Sequence, residues 1–141
     1  MIDQVTVFLE NSKGRLAALT RVLGDAEISM HTLTIAETTD YGVVRIITDS
    51  PARAAETLDA AGYRAKITPV VAIRVPDEAG GLASLLEAFD EAGINVEYAY
   101  CFSTNKGYAI DILRVDDTQR VAAVVLKAGY HLLEPGDLYA Y

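Results

Sequence analysis

The chain has 141 residues, of which 51% are hydrophobic and 23% are charged, a balance typical of a folded globular protein. Its net charge of −8 opposes binding to nucleic acid and to anionic membrane surfaces. No apolar run reaches about 18 residues, and the N-terminus lacks a secretory pattern, so we expect a cytoplasmic protein. The single cysteine, Cys101, fits a reducing compartment.

The first predicted element is a strand over residues 5–9, where apolar residues alternate with others. A turn at Gly14 leads into a predicted helix with one apolar stripe. A second strand enters at Ile28 and runs to about Thr38. The next four residues predict a hairpin turn, because they tolerate positive φ.

A third strand is predicted around Val44 and Ile46, with Arg45 on the alternate face. A second helix follows and ends at Gly62, which we interpret as a C-cap. A last strand from Tyr63 to about Thr68 completes the set.

The same series then repeats. Gly80 follows Gly14 by 66 residues, a hairpin turn is predicted at residues 104–107, and a second C-cap glycine is Gly129. On this spacing Ile110 and Ile112 match the third strand of the first copy. Asp111 then takes the place of Arg45 on the alternate face.

Strand, helix, two strands, helix and strand make up the βαββαβ ferredoxin-like plan, an α+β fold. The sequence therefore predicts two tandem copies, residues 1–68 and 69–141, each with an antiparallel four-stranded sheet covered by helices on one face. We expect pairing between copies, and a homodimer, because apolar residues are predicted on the open faces. These residues are Phe8, Leu33, Ile35, Ile47, Cys101 and Leu113.

Gly-x-Leu recurs at residues 14–16 and 80–82, and Gly-Ile-Asn occurs at residues 93–95 of the second copy. Together with the element order, these motifs resemble the ACT domain, a small regulatory module that binds amino acids. The resemblance spans nearly the whole chain, as a tandem pair without an attached enzyme. Two departures are the absence of a proline before each glycine and the sequence Glu27-Ile28-Ser29 in the first copy. These departures leave two alternatives, that both copies have a working ligand site or that one of the two sites is vestigial.

The resemblance implies a ligand held where the first loop of one module meets a neighbouring module. The implied ligand-binding residues are Asn11, Ser12, Gly14, Arg15, Leu16, Ser29, Asp77, Gly80, Gly81, Leu82 and Asn95. The chemistry is consistent, because helix N-termini and short polar side chains suit a zwitterion. An alternative is that Asn11, Ser12 and Asp77 only cap helices and that the glycines only make turns. Asn95 could equally be an edge hydrogen-bonding residue.

Three aromatic residues alternate at Tyr98, Tyr100 and Phe102, a pattern more typical of packing than of a ligand pocket. His31, His131 and Cys101 lack metal-ligand spacing, so we interpret them as structural. No catalytic motif is present, and the sequence indicates no catalytic residue, metal or cofactor.

The leading hypothesis is a non-enzymatic protein that binds a free amino acid between ACT-like modules and signals to a partner protein. An alternative is a regulatory subunit of an amino-acid biosynthetic enzyme, similar to the small subunit of acetolactate synthase. A third is a small-molecule enzyme on the same fold, because a fold does not fix function.

Overall fold

The computed structural model describes residues 1–104 and 106–138. The chain divides into two compact units. The first unit is Asp3–Thr68. The second unit combines Met1–Ile2 with the chain from Pro69 onward.

The sheet of the first unit has the strand order β2-β3-β1-β4, and its β1–β3 and β2–β3 pairs are antiparallel. Its strands and helices are β1 (Ile2–Glu10), α1 (Arg15–Asp25), β2 (Thr32–Glu37), β3 (Tyr41–Ile47) and α2 (Pro51–Ala60). The strand β4 (Arg64–Pro76) follows, and its first part belongs to this unit. The last strand does not stop at the end of the unit, because β4 is one strand of 13 residues.

The sheet of the second unit has the order β5-β6-β4-β7, with antiparallel pairs throughout. After β4, its elements are α3 (Gly81–Glu91), β5 (Val96–Ser103), β6 (Tyr108–Val115), α4 (Thr118–Lys127), β7 (His131–Leu133) and α5 (Pro135–Leu138). Strand β7 is shorter than predicted, and α5 was not predicted. The predicted turn at 104–107 includes Asn105, which lies outside the described residues.

These elements confirm the predicted ferredoxin-like βαββαβ plan in both copies. Each unit has its own apolar core, formed by one sheet face and two helices. In the first unit Val5 and Ile46 of the sheet pack with Leu19 of α1 and Leu58 of α2. In the second unit the core comprises Val71, Ile73, Val75, Leu85, Phe89, Ile94, Leu113, Val115, Val121 and Val125.

The prediction for the open sheet faces was wrong for several residues. Leu33 packs against the helix-covered core of the first unit, and Leu113 is fully buried in that of the second. Ile35 pairs with the core residue Val44 and so lies on the covered face, although it is 37% exposed. Pairing places Cys101 opposite Asp111, which is itself opposite the core residue Ile73.

The open face of the first unit is more polar than expected. Thr6 pairs with Arg45, and the hydroxyl groups of Thr6 and Thr68 lie 2.8 Å apart. Phe8 is 44% exposed, whereas Ile47 is buried. This sheet face therefore combines a hydrogen-bonded polar patch with the apolar residues Phe8 and Ile47.

The alignment of the third strands at 66 residues was also wrong. Val7 pairs with Val44, and its counterpart Ile73 pairs with Asp111. The third strands therefore correspond at 67 residues, so that Asp111 takes the place of a core valine rather than that of Arg45. Because side chains alternate along a strand, this shift of one residue moves Asp111 to the helix-covered face.

The glycines at the ends of α2 and α4 lie one residue later than the predicted C-cap. Ala61 and Ala128 are the C-cap residues, and Gly62 and Gly129 follow them with φ of 89° and 83°. Glycine is preferred at this position because it adopts the left-handed conformation without a Cβ clash.

Candidate functional site

The loop between β1 and α1 ends in a glycine that caps the helix through its backbone. Gly14 is the N-cap residue, with φ of 86°. The Ser12 N–H donates to the Glu10 carbonyl at 2.9 Å, and the Arg15 N–H donates to the Ser12 carbonyl at 3.3 Å. The Ala18 N–H then donates to the Gly14 carbonyl at 3.0 Å and begins the helical ladder.

The loop between β4 and α3 repeats this conformation bond by bond. Gly80 is the N-cap, with φ of 91°. The Glu78 N–H donates to the Pro76 carbonyl at 2.9 Å, the Gly81 N–H to the Glu78 carbonyl at 3.1 Å, and the Ser84 N–H to the Gly80 carbonyl at 3.0 Å. The sequence repeat therefore encodes one loop structure twice.

Neither helix receives a side-chain cap, so the alternative that Asn11, Ser12 and Asp77 are N-capping residues was wrong. The Asn11 side chain instead donates from Nδ2 to the carbonyls of Thr38 and Thr39, at 3.2 and 3.5 Å. Asn11 therefore joins the loop to the β2–β3 hairpin. The N–H groups of Arg15 and Gly81 are bonded within their loops, so an anion at either helix would be bound by the N–H groups of the residues that follow them.

The strand-entry residues lie away from the loop within each unit. Ser29 and Asn95 follow α1 and α3, and 11 helical residues span about 16 Å. The backbone N–H of Asn95 donates to the Asp116 carboxylate at 3.0 Å, and the Asp116 N–H donates to the Asn95 carbonyl at 3.2 Å. Each unit by itself brings together the loop residues but not the strand-entry residue.

The two loops differ in the residue after the glycine. Arg15 begins α1, whereas Gly81 begins α3 and is buried. A Cβ at Gly81 would collide with the Pro76 carbonyl oxygen. Leu16 and Leu82 occupy matching, partly exposed positions.

A cavity of about 650 Å³ lies at the same end of the first unit as its glycine loop. Its lining comes from β1, the start of α1, the hairpin and the connection from α2 to β4. The lining residues are Phe8, Glu10, Arg15, Thr38, Tyr41, Val43, Gly62, Tyr63 and Arg64. Only Arg15 among them belongs to the sequence-predicted site.

Arg15 has two contacts within this cavity. Its Nε lies 3.6 Å from the Glu10 carboxylate, and its guanidinium carbon lies 5.7 Å from the centre of the Tyr63 ring. A cation over a tyrosine face is stabilised electrostatically. The cavity could have been anticipated from the Ala-Gly-Tyr sequence that recurs in both copies, because its glycine and tyrosine line the wall.

A smaller cavity of about 440 Å³ occupies the corresponding place in the second unit. Gly129, Tyr130 and His131 stand where the first cavity has Gly62, Tyr63 and Arg64. The guanidinium carbon of Arg74 lies 4.4 Å from the centre of the Tyr108 ring. The two cavities therefore share a position but have different charged groups.

The buried carboxyl of Asp111 is the main titratable feature of the second unit. Asp111 is 3% exposed, and desolvation by burial raises its pKa. Burial also raises the pKa of the Cys101 thiol, with smaller contributions from Asp111 and Asp77. A raised pKa makes a thiol less nucleophilic at neutral pH.

Tyr98, Tyr100 and Phe102 are half-buried on one face of β5, opposite Arg114, Ile112 and Ile110 of β6. Within residues 1–104 and 106–138, no three His, Cys, Asp or Glu residues are grouped to hold a metal ion. No helix in the described part of the chain is long and apolar enough to cross a membrane.

Two βαββαβ units with matching glycine loops define a tandem pair of small α+β modules. The family model for the ACT domain pair matches residues 1–140. The chain therefore belongs to the ACT domain pair family, which confirms the resemblance in its motifs.

The structure is similar to that of the protein BT0572 from Bacteroides thetaiotaomicron, with a TM-score of 0.93 and 34% identity over 99% of this chain and 96% of that one. The regulatory subunit of aspartate kinase from Thermus thermophilus, ligand free, shares the fold, with a TM-score of 0.68 and 15% identity over 90% and 92% of the two chains. The corresponding subunit from Thermus flavus gives a TM-score of 0.63 and 13% identity over 92% and 94%. No curated protein matches the sequence.

Proposed function

We propose that this protein is a non-enzymatic regulator that binds a free amino acid at its glycine loops, where one ACT module meets another, and signals to a partner protein. The observation that carries the proposal is the pair of loops with the same backbone conformation. Each presents a helix N-terminus that has no side-chain cap and follows a left-handed glycine. Such an N-terminus binds the carboxylate of an amino acid through backbone N–H groups and the helix dipole.

The proposed site comprises the loop residues of both modules together with Ser29 and Asn95. Because each strand-entry residue is distant from the loop of its own unit, the proposal requires it to meet the loop of a neighbouring module. That module can belong to the same chain or to a second copy in a homodimer. The modules are proposed as residues 1–68 and 69–141.

Thermal-shift measurements with each of the twenty amino acids test the proposal. A ligand at 100 times its dissociation constant stabilises the bound state by about 2.7 kcal/mol, which gives a clear rise in melting temperature. If none of the twenty raises the melting temperature, the proposal is wrong.

Glycine substitutions locate the site. Gly14→Ala, Gly80→Ala and Gly129→Ala all place a Cβ at positive φ, and none of the three Cβ atoms has a neighbour within 4 Å. The strain should therefore be similar, at about 1 kcal/mol. Only the first two variants should weaken amino-acid binding, because their methyl groups lie at the helix N-termini. Equal affinity in all three would place the ligand elsewhere.

A second candidate function is a regulatory subunit of an amino-acid biosynthetic enzyme. The fold shared with two aspartate kinase regulatory subunits supports this candidate. It predicts a stable complex with a catalytic chain whose inhibition by an amino acid requires this protein. Reconstitution of that inhibition with purified components would distinguish a subunit from a free regulator.

A further inference from the structure

The cavity of the first unit has chemical features that the loop site does not explain. Arg64 lines this cavity and is exposed, and its side chain makes no hydrogen bond or ion pair within the described residues. Its position in a cavity suggests that its partner is an anion from solution.

Arg15 adds a second cation, already held in place. Glu10 contacts its Nε and Tyr63 lies under its guanidinium, while its terminal nitrogens make no hydrogen bond within residues 1–104 and 106–138. A guanidinium fixed in this way loses little side-chain entropy when it binds a carboxylate, and its planar donors match carboxylate oxygens.

Aromatic and aliphatic side chains form one part of the remaining wall, which also includes Thr38. Phe8 pairs with Val43 across β1 and β3, and Tyr41 pairs with Glu10. Phe8 and Tyr41 are 44% and 58% exposed, so two large rings face solvent next to two arginines. The cavity volume of about 650 Å³ lies within the range of small-molecule sites, about 300–1,000 Å³.

We propose that this cavity is a second binding site, contained within the first unit, for a small carboxylate with an aromatic body. Arg64 and Arg15 bind the carboxylate, and Phe8, Tyr41 and Val43 contact the ring. This site goes beyond the amino-acid site proposed at the glycine loops, because it needs neither Gly80 nor the strand-entry residues.

The second unit supports this assignment by contrast. Gly81 stands in the place of Arg15, and His131 stands in the place of Arg64. The corresponding cavity of the second unit thus lacks an arginine at both carboxylate-binding positions, and its Arg74 stands where Phe8 contacts the ring. The site is therefore assigned to the first unit alone.

Titration calorimetry with phenylacetate on the full chain tests the proposal, with benzylamine as the matched ligand of opposite charge. Phenylacetate should bind, and benzylamine should not. L-Phenylalanine and phenylpyruvate then distinguish an amino acid from a 2-oxo acid as the source of the carboxylate, and binding of either that is weakened by Arg64→Gln supports the site.

Arg64→Gln should weaken phenylacetate binding at least about tenfold and leave the fold unchanged, because Arg64 has no partner within the described residues. Arg64→Lys should retain part of the affinity. The control is Arg21→Gln, an exposed arginine on α1 that pairs with Asp25 and lies outside the cavity.

Equal affinity in the wild type and Arg64→Gln, equal binding of benzylamine, or failure of every carboxylate to bind would overturn the proposal. Arg15 belongs to both sites but Arg64 does not belong to the loop site, so the response to Arg64→Gln separates the two. Amino-acid binding that responds to Gly80→Ala but not to Arg64→Gln would support the proposed function and reject the cavity. Phenylacetate binding that responds to Arg64→Gln, without any response to the twenty amino acids, would support the cavity and reject the proposed function.

Discussion

Glu27 and Gly93 occupy equivalent positions after the first helix of each unit, and both have a left-handed backbone, with φ of 54° and 65°. The next residue closes the same bond in each case: Ile28 N–H to Leu23 carbonyl at 3.0 Å, and Ile94 N–H to Phe89 carbonyl at 2.9 Å. The loss of glycine in the first copy therefore leaves the turn intact. It adds strain, because a Cβ is disfavoured in this conformation.

Glu27→Gly should therefore stabilise the protein. Relief of about 1–2 kcal/mol of left-handed strain is partly offset by the greater entropy of glycine in the unfolded chain, about 0.5–1 kcal/mol. We expect a net gain of about 0.5–1 kcal/mol in the free energy of unfolding, measured by urea titration. The reciprocal variant Gly93→Ala should lose stability, and a gain in that variant would contradict the argument.

The order of the elements could be predicted from the sequence because periodicity and glycine positions are local signals. The register of the third strands could not. Three residues separate β2 from β3, whereas four separate β5 from β6, so the offset changes from 66 to 67 within the hairpin. A one-residue change moves every side chain that follows to the opposite face of the sheet, and the sequence pattern did not reveal this change.

Asp111→Val should stabilise the protein at neutral pH. Burial raises the pKa of Asp111, so the folded state binds its proton more tightly than the unfolded state, in which an aspartate pKa is about 3.9. Stability contributed by this group is therefore lost as pH rises from about 3.9 through the folded pKa. Val44 holds the equivalent position of the first unit, which makes valine the natural replacement.

The stability difference between Asp111→Val and the wild type should grow with pH across that window and then level off, as measured by urea unfolding at a series of pH values. Asp90→Asn, at an exposed position of α3, is the control and should change stability by less than about 0.5 kcal/mol. A difference that shrinks as pH rises would show that Asp111 is stabilised as a carboxylate.

The candidate site was only partly predictable for a different reason. The glycine loops are continuous in sequence, so Gly14 and Gly80 could be identified as a pair. The cavity joins β1, the hairpin and the end of α2, and its residues Glu10, Tyr41 and Arg64 are far apart in the chain. No local pattern links them, and only the fold places them around one space.

The N-caps of the second helices provide a matched pair. Asp117 Oδ1 accepts hydrogen bonds from the N–H groups of Gln119 and Arg120, at 3.2 and 3.0 Å, whereas Ser50 makes no side-chain cap bond. Asp117→Ala should cost about 1 kcal/mol, and Ser50→Ala less than about 0.5 kcal/mol, in thermal or urea unfolding. Equal costs would mean that the Asp117 cap contributes nothing beyond a generic surface effect.

Arg53 and Arg120 make the same structural contact in the two units. Arg53 Nη2 donates to the carbonyl of Ala26 at 2.5 Å, and Arg120 Nη2 donates to the carbonyl of Ala92. Both acceptors are C-cap residues, at the end of α1 and of α3, where helix carbonyls lack intrahelical partners and a positive charge is favourable. Each arginine therefore fastens the second helix of its unit to the end of the first.

Arg53→Met and Arg120→Met keep most of the apolar stem but remove the donor, and each should lower the free energy of unfolding. We expect a loss of about 1 kcal/mol. Hydrogen bonds to charged groups usually contribute more stability than this, but both arginines are exposed, so their contribution should be small. Arg21→Met removes only the exposed pair with Asp25 on α1 and should cost less than about 0.5 kcal/mol. If all three variants lost the same stability in urea unfolding, the carbonyl contacts would have no special role, and the repeated arginines would be surface charges like Arg21.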